Sequence, residues 1–331
     1  MENCANCYII SIVEKIGWRG TKMTLKENIR HFFHNTWKHR VHVLMALPTF
    51  LIMFFFLYVP MAGLVMAFKN FNYNDGIWKS PWKDPILGNF DFLTASKELF
   101  LNMTGNTLMY YVIFTLLGTF LNVVLAVCID QLVFKKLGGA LQSILIIPIF
   151  ISYAAVQFIV YAYLDRDTGM INHLFGTGIR WYSEAKYWPV ILTIVKMWNS
   201  VGYGSVLYMS VLAGVDQQLY EAAQIDGANK WKQIKHITIP SLIPMVTVML
   251  LLSVGNIMRS DTGLFYQVTR NSGALNQTTR VIDSYVLNSI LHSSNFGFTA
   301  AASFFQSIVG LVLIIIANFV VRKLEPENAL F

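Results

Sequence analysis

Few side chains in this chain are of types that make or break bonds, and their spacing argues for contact rather than catalysis. Seven histidines are scattered over the N-terminal region and the loops with no H-E-x-x-H arrangement, so a histidine-built metal centre is not expected. Cys4 and Cys7 have the spacing of a redox or zinc pair, but without a second ligand pair they read as incidental thiols. Cys128 reads as a small packing residue inside an apolar run. No G-x-x-x-x-G-K-[ST] phosphate loop occurs, so the chain cannot cradle ATP in that way. The most ordered pattern is Glu221-Ala222-Ala223, three residues, Gly227, nine residues, then Ile237-x-x-Pro240, a polar insert between two long apolar runs.

The local chemistry of that insert predicts a docking element. Asp216 is placed as an N-cap for a helix over 217–226, ~15 Å long. Gly227 supplies the left-handed stop that follows Asp226. A second short helix is expected from about Asn229 to Thr238, with Trp231 and Ile234 on one side, before Pro240 and Pro244 open the next apolar run. Leu219, Tyr220, Ala223 and Gly227 share a face on this reading, and Glu221 projects from another, where it can make a charge-assisted bond to a donor on a partner.

What positions this insert is a membrane domain. Of the 331 residues, 55% are apolar and 13% charged, and the mean hydropathy is positive, which is unlike an ordinary soluble domain. About 20 apolar residues cross ~30 Å of hydrocarbon, and six runs qualify: 43–68, 107–129, 141–164, 189–212, 242–258 and 298–321. Backbone amides in lipid must bond within their own segment, so the runs are read as helices. Six spans put both termini on one side. The loops grouped with the termini hold fourteen Lys/Arg against ten opposite, seven of them before residue 43, which places both ends and the Glu221 loop in the cytoplasm. The expected organisation is a basic cytoplasmic segment 1–42, a six-span domain 43–321 containing the loop 213–240, and a cytoplasmic tail 322–331. Residues 25–41 carry one apolar and one basic face, expected to lie on the lipid surface; a disordered basic tail is the alternative.

Polar side chains within apolar spans are costly unless they face a cavity or another helix. Asn122, Lys196, Asn199, Asn256, Arg259 and Gln306 are therefore the candidates for a solute path, with Lys196 snorkelling to the outer interface as the competing reading. Small residues at Gly202, Gly204 and Ser205 permit close helix approach. Outside, Phe71, Tyr73, Trp78, Trp82, Phe90 and Phe92 stand among polar residues, a composition suited to interface anchoring or to stacking on sugar rings. The second outer stretch, 261–295, is long enough to form a structured cap or to meet a solute-delivering protein.

The Glu221–Pro240 pattern resembles the cytoplasmic loop signature of binding-protein-dependent ABC importer permeases, with Ile239 standing where that family usually has Leu. The segments Tyr58-Val59-Pro60-Met61-Ala62-Gly63-Leu64-Val65 and Phe265-Tyr266-Gln267-Val268-Thr269-Arg270 resemble the subfamily that moves oligosaccharides or polysaccharide fragments, and the likeness covers nearly the whole chain. The resemblance implies an all-α membrane protein of the type I importer permease fold, with six transmembrane helices and a cytoplasmic coupling helix, in a bacterial cell membrane. It implies ATPase coupling through Glu221, Ala222, Ala223, Asp226, Gly227, Ile237 and Pro240. The implied partners are a second homologous permease, a cytoplasmic ATPase dimer carrying ATP and Mg, and an extracellular solute-binding lipoprotein, with a carbohydrate as solute. No cofactor of this chain's own, no enzymatic activity and no nucleic-acid partner are implied. The alternative class is an ion- or proton-coupled secondary transporter, which would want inverted repeats and an intramembrane carboxylate; Asp130 and Asp261 stand only at span ends.

Overall fold

The structure, a computed structural model, describes residues 38–93, 97–132, 134–293 and 295–324. The expectations for Cys4 and Cys7, for most of the surface helix 25–41 and for the tail 325–331 lie outside the described residues. Two units divide at Ala62/Gly63. In the first, α1 (Arg40–Met53) leads through a π turn, Phe54–Tyr58, into Val59–Met61, and none of these residues is buried. The apolar span to which α1 belongs runs Arg40–Phe68, close to the expected 43–68.

The second unit is helical, with an isolated bridge between Lys69 and Trp82 as its extended pairing among the described residues. Its principal helices are α2 (Lys97–Asp130), α3 (Lys135–Ile146), α4 (Tyr153–Leu164), α5 (Trp188–Ala213), α6 (Gln217–Ile225), α7 (Lys230–Gln233), α8 (Ile239–Val254), α9 (Ile282–Ser293) and α10 (Phe296–Leu324). The 34 residues of α2 make about 50 Å of helix, more than a bilayer core needs. The helix α5 packs along α2, and α4 packs against a π-helical segment, Gly263–Val268. One core joins these four elements through Tyr110, Val156, Leu192 and Phe265; a second joins α2, α5 and α8 through Ala126, Tyr208 and Leu242.

Two expected elements differ. The run 141–164 is not one straight span: the helices on either side of Ile151–Ser152 meet at 98°, and α3 and α4 have 12 residues each, ~18 Å, too short to cross alone. Pro148 opens a tight turn, Ile147–Phe150, after which Ile151 and Ser152 are extended. An uninterrupted apolar run hides such a break, because hydropathy does not register backbone direction. Conversely, the loop's second helix does not stop before the fifth span. The chain is helical from Lys230 to Val254, through a π turn, Ile234–Thr238. Pro240 has no N–H and its ring presses on the preceding turn; the wider i→i+5 turn accommodates both without ending the helix.

Candidate coupling helix and polar path

The polar insert is stapled at both ends. Asp216 Oδ1 accepts the Gln218 N–H at 3.0 Å, which satisfies one of the free donors of the first turn of α6. At the other end Gly227 sits at φ +75°. There the Ala228 N–H donates to Ala223 O at 2.8 Å and the Gly227 N–H to Gln224 O at 3.0 Å, the paired bonds of a glycine helix stop. A Cβ at residue 227 would meet nothing within 4 Å, so the glycine is required by conformation and not by space. Asn229 Oδ1 then accepts the Lys232 N–H at 2.9 Å to start α7. Buried Gln233 donates to Ala228 O at 3.1 Å, and the Tyr220 hydroxyl lies 3.0 Å from Thr238 Oγ1, itself fully buried. These last two bonds tie α6 to the root of the fifth span, so displacement of one carries the other.

The outward face differs from the expected knob. Tyr220 and Ala223 turn toward the rest of the chain, whereas Leu219 is 54% exposed, Ile225 87% and Trp231 73%. Glu221, Ala222 and Asp226 are exposed, and Glu221 has no hydrogen-bond or ion-pair partner among the described residues. Ile237 is half-buried and Pro240 exposed. Ile225 was not singled out in the sequence; its position just before the glycine stop, with no polar reason to face water, is the signal. Behind α6 a cavity of about 250 Å³ is lined by Asp130, Gln131, Gln217, Gln224 and Lys230.

Of the six polar residues proposed for a path, three are engaged within the chain. Asn199, buried in α5, donates to Pro148 O at 2.8 Å and accepts from the Tyr153 hydroxyl at 3.2 Å. It thereby adds a second donor to Pro148 O, which also accepts the Ile151 N–H at 3.1 Å, and braces the break in the third span from α5. Gly202 serves the same junction: a Cβ there would lie 1.8 Å from Leu145 O. Buried Gln306 donates to Met258 O at 2.7 Å and to Asp283 Oδ1 at 3.1 Å, bridging α10 to the segments before and within α9. Lys196 Nζ lies 2.9 Å from Asp261 Oδ2, so its charge is paired within the chain. Asn122 packs against Gly204, its side-chain oxygen buried without a hydrogen-bond partner among the described residues. Asn256 and Arg259 are exposed just past the end of α8, and Arg259, Lys196 and Asp261 line one cavity of about 150 Å³ with Tyr111 and Thr115.

In the loop between the first two spans, Lys69 donates to Ile77 O and Trp78 O, Phe90 packs with Phe68 and Phe304, and Phe71 with Phe296, whereas Tyr73, Trp78 and Trp82 remain exposed. The stretch after residue 260 is a structured cap, with α9 and the π-helical segment held by Ser260 Oγ donating to Asp283 Oδ2 at 2.8 Å.

Comparison with known proteins gives this arrangement its class. The family described as binding-protein-dependent transport system inner membrane component matches residues 32–328. Protein LplB of Bacillus subtilis (strain 168) is 30% identical over 295 residues, covering 86% of this chain and 89% of that protein. The polygalacturonan/rhamnogalacturonan transport system permease protein YteP of the same organism is 28% identical, over 86% of this chain and 88% of its own. A crystal structure of a bacterial ABC transporter involved in the import of the acidic polysaccharide alginate matches with a TM-score of 0.77 at 27% identity, covering 89% of this chain and 99% of that one. A crystal structure of a bacterial alginate ABC transporter in complex with an alginate pentasaccharide-bound periplasmic protein matches with a TM-score of 0.76 at 26% identity, covering 88% of this chain and 97% of that one. A helical unit built on long apolar spans, one of them broken, and a match over nearly its whole length together establish that this chain belongs to the binding-protein-dependent transport system inner membrane components, the multi-pass permease subunits of ABC importers.

Proposed function

We propose that this chain forms half of the path by which an oligosaccharide or polysaccharide fragment enters a bacterial cell, driven by a separate cytoplasmic ATPase that grips α6. The observation that carries this reading is the loop 216–240: a capped, glycine-stopped helix that shows Leu219, Glu221 and Ile225 to solvent while Tyr220 and Gln233 bind it to the root of the fifth span. Exposed apolar side chains on a rigid element suit the groove of a partner. Closure of two ATPase subunits, holding ATP and Mg, would push α6 and with it the Lys230–Val254 helix, exchanging inward- and outward-open states. The saccharide class is supported by the names of YteP and of the alginate importer; delivery by an extracellular binding protein is supported by the complex with the pentasaccharide-bound protein. A second, homologous permease subunit completes the path, and both termini lie in the cytoplasm.

The test is reconstitution of the complex in proteoliposomes with Glu221→Ala and Ile225→Asp. Loss of binding-protein-stimulated ATP hydrolysis and of uptake, with docking of the binding protein on the outer face retained, is expected. Coupled uptake at the wild-type rate in both variants overturns the assignment.

A further inference from the structure

The outer end of α4, the turn at 180–183 and the chain at 270–272 enclose a cavity of about 590 Å³ that the transport cycle described above does not use. Its wall holds three guanidinium groups, Arg166, Arg180 and Arg270, beside the rings of Tyr161, Trp181 and Tyr182, with Asp165 as the one carboxylate. That carboxylate stays ionised but makes no ion pair with an arginine among the described residues, so the wall carries three positive charges against one negative. Asp165 Oδ2 accepts from the Thr168 hydroxyl at 2.7 Å and from the N–H groups of Thr168 and Asp167 at 3.0 and 3.3 Å. These bonds, led by the Thr168 hydroxyl, hold it well below the usual carboxylate range. Arg166 has a long 3.8 Å contact to exposed Asp167, and the Arg180 guanidinium has no ion-pair or hydrogen-bond partner among the described residues. Arg270 lies 4.3 Å over the Tyr161 ring. Burial pushes Tyr182 up to about 12, so it adds no negative charge at neutral pH.

The backbone at Arg270 sharpens the point. Arg270 and Asn271 have φ of +54° and +48°, and are the non-glycine residues with positive φ among those described. The turn they terminate closes with Asn271 N–H to Tyr266 O at 3.0 Å and Arg270 N–H to Gln267 O at 2.9 Å. This is the bond pair that stops α6, where the same position is Gly227. An arginine in a glycine conformation is strained, and what the strain secures is a guanidinium held against an aromatic ring at the cavity wall.

We propose that this cavity is a binding site for a uronate unit of an acidic oligosaccharide, its carboxylate received by Arg180 and Arg270 and its ring resting on the aromatic wall. The proposal rests on the reading of the chain as a saccharide importer permease and narrows its substrate class. Guanidinium forks match a carboxylate bidentately, while aromatic faces suit the apolar C–H face of a pyranose. The volume falls in the range of small-ligand pockets, and an aromatic-floored cavity is more than an acidic side chain of a docking protein would need.

The experiment is calorimetric titration of the purified importer complex, without its binding protein, using trigalacturonate, its methyl ester and neutral galactotriose. Trigalacturonate is expected to bind at least about tenfold more tightly than the other two, and Arg180→Gln and Arg270→Gln are each expected to weaken it by about tenfold. Arg270→Gly, which relieves the backbone strain, is expected to melt no lower than wild type and still lose binding, which separates lost recognition from misfolding. Equal affinity for charged and neutral trisaccharides, or binding unaffected by these substitutions, overturns the site. So does a result in which the variants bind trigalacturonate normally but capture the loaded binding protein poorly, since the arginines would then serve protein docking. Uptake is scored separately in proteoliposomes: absence of transport of any saccharide overturns the transport reading, whereas normal uptake with charge-blind binding overturns this site alone.

Discussion

Breaking the Lys196–Asp261 ion pair offers a quantitative test of how α5 and the segment after α8 hold together. Lys196 Nζ and Asp261 Oδ2 are 2.9 Å apart, and the two side chains retain 24% and 30% of their exposure. At an effective dielectric of ~20 the bare attraction at this distance is roughly 6 kcal/mol, most of it offset by the cost of taking both charges out of water. Removing one partner of a fully buried pair costs about 3–5 kcal/mol, and the residual exposure here lowers that to about 2 kcal/mol. Lys196→Met keeps the apolar stem. Asp261→Asn keeps an oxygen for the Leu264 N–H, which Asp261 Oδ1 accepts at 3.4 Å. Each single change is expected to destabilise by about 2 kcal/mol and the double variant by less than the sum, with a coupling of about 1–2 kcal/mol. Equilibrium unfolding in mixed detergent and dodecyl sulfate micelles measures all four corners of the cycle. Effects that add within about 0.5 kcal/mol refute the reasoning, because they would mean that each charge is satisfied by water and not by the other.

Two glycines should fail differently. Gly202→Ala drives a Cβ to 1.8 Å from the Leu145 carbonyl and is expected to abolish recovery of assembled complex from membranes. Gly227→Ala meets no atom and costs about 1–2 kcal/mol of backbone strain, so the protein is recovered while coupled uptake falls. Asn199→Ala removes one of the two donors to Pro148 O, which keeps the Ile151 N–H, and is expected to cost about 0.5–1.5 kcal/mol of stability, lowering uptake of every solute alike in proportion to assembled complex; a change in KM for one solute only would return Asn199 to the path. Cysteines introduced at Ser183 and Ala274 are expected to react with an impermeant thiol reagent on intact cells and one at Gln218 to be protected, in a Cys-free background; Ser80 is unsuitable because it is buried and donates to Gly76 O. Trigalacturonate binding is expected to be flat from about pH 5.5 to 9. Asp165 is depressed and so stays ionised throughout, and Tyr182, raised to about 12, stays neutral below that value. A midpoint near neutrality in the calorimetric affinity would point to a titrating group elsewhere.

What the sequence determined by itself is whatever depends on near neighbours. Spans one, two, four and six were legible to within about ten residues at each end, because an apolar run of sufficient length in lipid has helix as its one way of pairing its backbone. The stop and start of α6 were legible because Asp216 and Gly227 act on bonds two to five residues away. The break at Ile151–Ser152 was not, since Pro148 is the local signal for it and a proline also occurs inside unbroken membrane helices, and the groups that brace the turn, Asn199 and Gly202, come from α5. For the same reason intramembrane polar residues could be picked out but not assigned. Asn199, Gln306 and Lys196 look alike in sequence as candidates for a solute, and only the folded chain brings Pro148, Met258 and Asp261 to them. A buried amide or ammonium must have a partner in a low-dielectric interior, but which partner is settled by packing between segments about 50 residues apart or more. The arginine cavity belongs to the same class: Arg166 and Arg180 lie in the connection between α4 and α5 and Arg270 follows the π-helical segment about 90 residues later, and tertiary structure alone makes them one wall.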